Sequence, residues 1–271
     1  MHYVTAKTIL SAKNGMNLYR GCQHGCIYCD SRSTCYQMDH PFEDIAVKEN
    51  ALELLEDALR RRRRPCMIGT GSMSDPYIPL ETELRLTRRS LELMETYGFG
   101  VTLITKSDRV LRDLDILQRI NEKTKAVVQM TLTTADEDLC RILEPGVSHT
   151  TVVWLCPILP FLNDTEENIR KIVESCAEAK VKGIIHFGMG LTLREGSREY
   201  FYAALDRHFP GVKERYIRSY GNAYELPSPN AKQLERVFRA ECNRYGIWHD
   251  NDRIFRYLNE FEEKTEQMCL F

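Results

Sequence analysis

Short runs of nearly uninterrupted apolar residues alternate along this chain with stretches whose apolar residues recur every three or four positions. The short runs are Met16–Leu18, Cys66–Gly69, Gly100–Thr105, Ala126–Leu132, Thr151–Pro157 and Gly183–Phe187. Val152 to Leu155 and Gly183 to Phe187 have almost no polar face, as expected of strands covered on both sides. Between the runs, Val47–Arg61 places Ala51, Leu54, Leu55, Ala58 and Leu59 on a helical stripe. Leu86–Tyr97 does the same with Leu91, Leu93 and Met94, and Asp108–Ile120 with Val110, Leu111, Leu114 and Leu117. Such spacing predicts helices with one buried face. Asp164, followed three residues later by Glu167, reads as a capping box that opens a helix toward Ala179. Gly183 then restarts a strand.

Alternating strands and helices joined by short loops imply parallel strands. Six such units predict an α/β fold, a partial (β/α)6 TIM-like barrel. In such folds chemistry sits where the C-terminal ends of the strands meet the loops. From about Gly188 the pattern turns mostly helical, with Pro227 and Pro229 as breakers. The expected division is therefore a core at residues 1–190 and a helical C-terminal extension at 191–271, packed on the core and ending in a tail at 264–271.

Composition narrows the functional classes. An apolar fraction of 43% supports a sizeable core, and a net charge of −2 gives no global attraction to nucleic acid or anionic membrane. No run approaches the roughly 18 apolar residues that span a bilayer. The stretch from Met1 to Ser11 lacks the apolar centre of a signal peptide. A cytoplasmic location is expected, where the ten cysteines serve as ligands or buried thiols rather than as disulfides.

Three of those cysteines carry the strongest chemical signal. Cys22, Cys26 and Cys29 lie within eight residues, directly after the first predicted strand, with Gly21 and Gly25 among them. Three thiolates on one loop suit an iron–sulfur cluster in which one iron keeps an open position for a substrate or cofactor. A zinc site is the alternative, with Cys35, six residues beyond Cys29, as its fourth ligand; uncoordinated buried thiols are a third.

The spacing C-x₃-C-x₂-C, with the aromatic Tyr28 just before the last cysteine, resembles the radical S-adenosylmethionine signature. Further segments resemble the spore photoproduct lyase-like branch, which is related to DNA repair photolyases. They are Gly69–Glu81, Leu86–Ser90, Thr105–Ser107, Leu143–Pro145 and Pro157–Asp164, in the family's order. The resemblance implies a 4Fe–4S cluster on Cys22, Cys26 and Cys29, with S-adenosylmethionine chelating the open iron. Its reductive cleavage would give a 5′-deoxyadenosyl radical for hydrogen abstraction, as in a lyase acting in DNA repair. It also implies a reductant such as flavodoxin or ferredoxin, and DNA as a partner.

Residue by residue, Ser72, Ser74 and Asp75 follow the second predicted strand and can offer hydrogen bonds to a ligand amine or ribose. Lys106 ends the third, where its ammonium can pair with a bound carboxylate, the role the resemblance also gives it. Thr131 and Thr133 lie near the end of the fourth and can meet cofactor or substrate. No catalytic residue is identified. The lyases place a hydrogen-donating cysteine where this chain has Met73, and a tyrosine where it has Asp30. Cys66 lies at the opposite end of its strand. Fold and cofactor therefore carry over further than the reaction. The alternatives are a radical enzyme acting on RNA, peptide or metabolite, and a non-catalytic iron–sulfur module for DNA binding or redox sensing. The family's helix before the fifth strand is shortened here to Val147–Thr150.

Two segments bear on partners. Arg60 to Arg64 are consecutive arginines that either bind phosphates or complement a helix C-terminus before Pro65. Gln267, Met268, Leu270 and Phe271 resemble the pentapeptide that docks DNA-repair proteins on the sliding clamp, which tilts the expected substrate toward DNA. Among the histidines, His24 lies inside the cysteine loop, where it can shield a cluster. His186 and Trp154 either join the core or line the cavity. His149, His208 and His249 show no ligand spacing, and Asp250, Asp252 and Glu260–Glu263 read as solvated.

Overall fold

The computed structural model describes residues 1–143 and 153–264. Glu144 and Pro145, Val147–Thr150 with His149, the first two residues of the fifth predicted strand, and the tail with Gln267, Met268, Leu270 and Phe271 lie outside the described residues. The chain divides into two compact units, one made of Met1–Cys22, Asp44–Gln129 and Phe255–Phe271, the other of Gln23–Glu43 and Met130–Ile254.

In the first unit, strands β1 (Gly15–Met16), β2 (Met67–Thr70) and β3 (Gly100–Thr105) pair in parallel in that order. Helices α1 (Ala51–Arg61), α2 (Leu86–Thr96) and α3 (Leu114–Lys123) alternate with them. Their apolar stripes explain the packing: Leu55, Leu59, Leu91, Met94, Ile116 and Ile120 bury against Ile68, Val101 and Leu103 in one core. Strand β4 (Ala126–Leu132) begins in this unit. Two sequence expectations are corrected here. Val47 does not start a helix, because Ala46–Lys48 forms a strand, parallel to His2–Val4 and antiparallel to Tyr19–Arg20. Asp108–Asp113 is a 3-10 helix, and the α-helix proper begins at Leu114.

The last segment of the unit is held by a buried lysine. Lys125, 2% exposed, donates to the Tyr257 carbonyl at 2.8 Å and to the Glu262 carboxylate at 2.9 Å. Glu262 is thus paired, against the expectation that Glu260–Glu263 are all simply solvated. Arg60 and Arg61 both bind Asp57, and Arg62 donates to the Cys66 sulfur at 3.2 Å. The start of the arginine run is engaged with its own helix and the strand that follows.

In the second unit, the end of β4 pairs in parallel with β5 (Val153–Leu155), Met130 opposite Val153 and Thr131 opposite Trp154. Residues 183–187, expected as a sixth strand, make isolated bridges only, Trp154 with Ile185 and Gly183 with Trp248. Both bridges are parallel, so the expected direction holds although the ladder does not extend. Helices α4 (Glu137–Leu143) and α5 (Glu166–Glu178) follow the strands. The cap of α5 is Thr165, whose hydroxyl accepts the Asn168 amide at 3.2 Å, and not Asp164. Asp164 is buried and accepts from the Phe161 amide and the Ser228 hydroxyl instead. Beyond Gly188 come α6 (Ser197–His208), α7 (Val212–Tyr220), α8 (Ala231–Tyr245) and α9 (Asn251–Asn259), the last running into the first unit. An antiparallel pair of Gly190–Thr192 with Glu225–Pro227 lies among them. Leu234, Val237 and Phe238 of α8 bury against Ile169, Ile172 and Val173 of α5.

One close approach fixes the loop after β2. Gly71 has φ +99°, and a Cβ there would lie 1.9 Å from the Ile104 carbonyl oxygen of β3. Gly98, at φ +72°, has nothing within 4 Å of such an atom. Chemical denaturation should therefore show Gly71→Ala losing about 2–4 kcal/mol, from overpacking and backbone strain together. Gly98→Ala should lose only about 1–2 kcal/mol, from strain alone.

Candidate functional site

The cysteine loop begins where Tyr19–Arg20 ends. Gly21 at φ +93° and Gly25 at φ +70° supply the left-handed turns that let thiols follow one another so closely. The boundary between the two units falls inside this loop, after Cys22. Cys22 and Cys29 are half-buried and Cys26 is buried. His24 is buried at 1% exposure. On the second unit's side, the Cys29 amide donates to the Cys26 carbonyl at 3.3 Å and the Ile27 amide to the Leu143 carbonyl at 3.0 Å.

The remaining described cysteines have other surroundings. Burial pushes the Cys176 and Cys242 thiols up to about 12, so they persist as S–H groups in the core. Cys35 is exposed and its sulfur lies 3.4 Å from Nη1 of Arg194. The same guanidinium meets Asp30 at 3.3 Å and the Tyr224 hydroxyl at 2.9 Å. Asp30 also accepts from the Ser33 and Tyr36 hydroxyls, each at 3.1 Å. The residue after Cys29 is thus a hub that ties this end of the loop to residues near the start of α6.

In the first unit, the residues after β2 and β3 are tied together. Asp75, 9% exposed, accepts the Tyr77 amide at 2.8 Å and the Thr105 hydroxyl at 2.7 Å on one oxygen. Its other oxygen accepts the Lys106 amide at 2.7 Å. Asp75 therefore fixes the backbone of Lys106, whose side chain is half-buried. Ser74, also buried, donates its hydroxyl to the Gly21 carbonyl at 2.6 Å. Ser72 and Met73 are exposed beside it.

An ionic group that the sequence barely marks joins the segments after β2 and β3. Glu81 and Asp113 are both fully buried. Glu81 accepts from the Tyr19 hydroxyl, from the Thr87 amide at 3.0 Å and from Arg112 at 3.0 Å. Asp113 accepts from the Tyr77 hydroxyl at 3.0 Å, from Arg112 at 2.7 Å and from Arg88 at 3.2 Å. Burial first, and then the neighbouring carboxylate charge, raise both phenols far above the ordinary tyrosine range, so they remain donors. Only the position of Glu81 in its motif hinted at this group.

In the second unit, Thr131 is half-buried, and the Thr133 carbonyl accepts from Asn163 at 2.8 Å and Asn168 at 3.1 Å. Trp154 and Phe187 rings lie 5.6 Å apart, and Phe187 is 64% exposed. It follows the parallel Trp154–Ile185 bridge, on the C-terminal side where open α/β sheets bind ligands. His186 packs on Phe238, accepts the Gly188 amide and is depressed below the usual histidine range, mainly by burial.

A donor set of three closely spaced thiols suits a soft metal centre, and Cys35 is exposed and engaged with Arg194. A model of the Radical SAM superfamily matches residues 16–160. An uncharacterized protein of Mycobacterium tuberculosis is 29% identical over 247 residues, 82% of this chain and 72% of its own. An uncharacterized protein of Methanocaldococcus jannaschii is 32% identical over 178 residues, 58% of this chain and 65% of its own. Spore photoproduct lyase complexed with dinucleoside spore photoproduct superposes with a TM-score of 0.63 at 15% identity, covering 91% of this chain and 80% of that one. A mutant of that lyase with bound AdoMet and dinucleoside spore photoproduct gives 0.60 at 15%, covering 86% and 74%. Identity so low shows the fold alone, a parallel-sheet α/β arrangement like that of the lyase. The family's cofactors are a 4Fe–4S cluster and S-adenosylmethionine, and its members need an electron donor. With more than half of its length matched by the family's model, the chain belongs to the radical SAM superfamily.

Proposed function

We propose that Cys22, Cys26 and Cys29 hold the 4Fe–4S cluster and that the protein abstracts hydrogen from a nucleic-acid substrate, DNA foremost. The observation that carries the first part is the loop itself, with three thiols in eight residues between left-handed glycines. When bound, the cofactors would supply reductive one-electron cleavage of the sulfonium, with the electron coming from the external donor the family needs, and so a means of abstracting hydrogen. The protein's own residues bind, orient and exclude water. Ser72, Lys106 and Thr131 are proposed to meet S-adenosylmethionine, the Lys106 ammonium by pairing with the cofactor's carboxylate. Asp75 acts from behind by fixing the Lys106 backbone, and Ser74 by its bond to Gly21. Residues 1–190 are proposed as the radical SAM core and 191–271, where α6 to α9 follow one another, as its extension. Among the described residues no helix is long and apolar enough to cross a membrane.

Two supports favour DNA. Some of the lyase structures that share the fold contain a dinucleoside spore photoproduct. The exposed Phe187 ring beside Trp154 also offers a face on which a base can stack. The reaction is not proposed to end as the lyase's does, because Met73 stands where those enzymes have their cysteine and a thioether has no hydrogen to give.

Anaerobically reconstituted and reduced protein should show a 4Fe–4S electron paramagnetic resonance signal that shifts on adding S-adenosylmethionine and is absent from Cys26→Ala. A cluster indifferent to the cofactor would remove the reading. With ultraviolet-damaged DNA, 5′-deoxyadenosine formation should rise above that with undamaged DNA; equal yields across damaged DNA, with a rise on RNA or peptide, would move the substrate elsewhere. Phe187→Ala should weaken binding of single-stranded DNA about five-fold or more, since stacking on one ring is worth roughly 1–3 kcal/mol per base. Its 5′-deoxyadenosine yield without substrate should stay at the wild-type level.

A further inference from the structure

The stretch from Tyr19 to Cys22 is held at two points by the segment that follows β2. At the first, the Tyr19 phenol, 2% exposed, donates to the fully buried Glu81 carboxylate. Glu81 is itself immobilised by the Thr87 amide and by Arg112, which binds its carboxylate and its carbonyl, all at 3.0 Å. At the second, the Ser74 hydroxyl donates to the Gly21 carbonyl at 2.6 Å. That carbonyl belongs to the peptide joining Gly21 to Cys22, so the bond fixes the plane from which Cys22 leaves the strand. Gly21 sits at φ +93°, a conformation open to glycine and therefore soft without an external tie. Ser74 and Glu81 lie seven positions apart and grip residues two positions apart, with every group at or below 9% exposure.

We infer that Ser74 and Glu81 form a two-point clamp that aims the Cys22 thiol and thereby sets how firmly the cluster is held. Both are positioning residues, Glu81 acting through Tyr19. The inference rests on the reading that Cys22 is a cluster ligand, and goes beyond it by giving the segment after β2 a task on the protein's own loop rather than on the cofactor. A carboxylate buried in a fixed ionic group suits that task better than a hydroxyl alone, because its neighbours prevent it from following a loop that drifts.

The test uses full-length protein reconstituted anaerobically as wild type, Tyr19→Phe, Ser74→Ala and the double variant. Tyr220→Phe serves as control, since its hydroxyl bonds the Pro227 carbonyl in the second unit. Iron release to a ferrous chelator is timed, the reduced cluster's paramagnetic resonance is recorded, and melting of the apo-proteins is followed. Each single variant should release iron about two- to ten-fold faster, as expected for one lost buried hydrogen bond. The double variant should be faster still, with a broadened cluster signal, while Tyr220→Phe matches wild type. Wild-type release and line shape in all variants would overturn the clamp, as would faster release that merely tracks a fall in apo-protein melting temperature. If Cys22→Ser holds iron as firmly as wild type, the ligand reading itself fails, an outcome distinct from either.

Discussion

Two carboxylates without solvent, Glu81 and Asp113, govern the first unit. Transferring such charges from water is unfavourable by several kcal/mol each unless partners meet them closely. Arg112 lies between the two and binds both, Arg88 meets Asp113 from α2, and the Tyr19 and Tyr77 phenols and the Thr87 amide supply neutral donors. Removing one partner of such a buried group costs about 3–5 kcal/mol, because the other charge stays behind. Exposed pairs such as Arg61 with Asp57 contribute about 1 kcal/mol at most. The segment after β2, the start of α2 and the 3-10 turn before α3 are therefore joined by the strongest constraint in the unit. Arg88 extends the same group to the surface through paired bonds of 2.8 Å to Asp115.

The cysteine loop inherits that rigidity at one end and acquires its own at the other. In the first unit, Tyr19 and Gly21 are bound to elements that cannot shift without exposing or unpairing Glu81. In the second, Asp30 collects the Ser33 and Tyr36 hydroxyls and the Arg194 guanidinium immediately after Cys29. The ties differ in kind. Glu81 itself is fully buried, with only its partner Arg112 about a quarter exposed; Arg194 and Asp30 are both about a third exposed, so water and salt weaken their attraction. Each end of the loop is thus fixed, the first by desolvated charge and the second by several hydrogen bonds sharing one carboxylate.

Much of this was legible from residue patterns. Gly100–Thr105 and Ala126–Leu132 were expected as strands with the bounds they have, because their apolar runs are nearly continuous. The cysteine loop needed only spacing. What escaped was whatever depends on distant partners. Glu81 and Arg112 are 31 positions apart, and no local pattern distinguishes a buried glutamate from a solvated one. Lys125 and Glu262 are separated still further. Ala46–Lys48 is a strand because two neighbours pair with it, while its own apolar residues fit the helical stripe equally well. Asp164 and Thr165 are both good caps, and the choice fell to Thr165 once Ser228 and Phe161 took the aspartate.

The same distinction separates the shared half of the chemistry from the half particular to this chain. The proposed cluster site calls on one loop and its supports, and the supports described around Cys22 come from residues 19–21, 74–81, 87 and 112. Finishing a radical reaction calls on a group that can give back or accept a hydrogen atom, and here the two positions that resemble the lyase's own differ together. Met73 is exposed and has no S–H bond. Asp30 has no phenol, and its carboxylate is occupied by Ser33, Tyr36 and Arg194. Restoring a tyrosine at position 30 would therefore remove the acceptor that orders three other side chains, besides adding a ring. A substitution so embedded belongs to the architecture of the loop. Under the proposed function, the fate of the radical would be set by side chains other than Met73 and Asp30, the two positions that the resemblance to the lyase leads one to inspect.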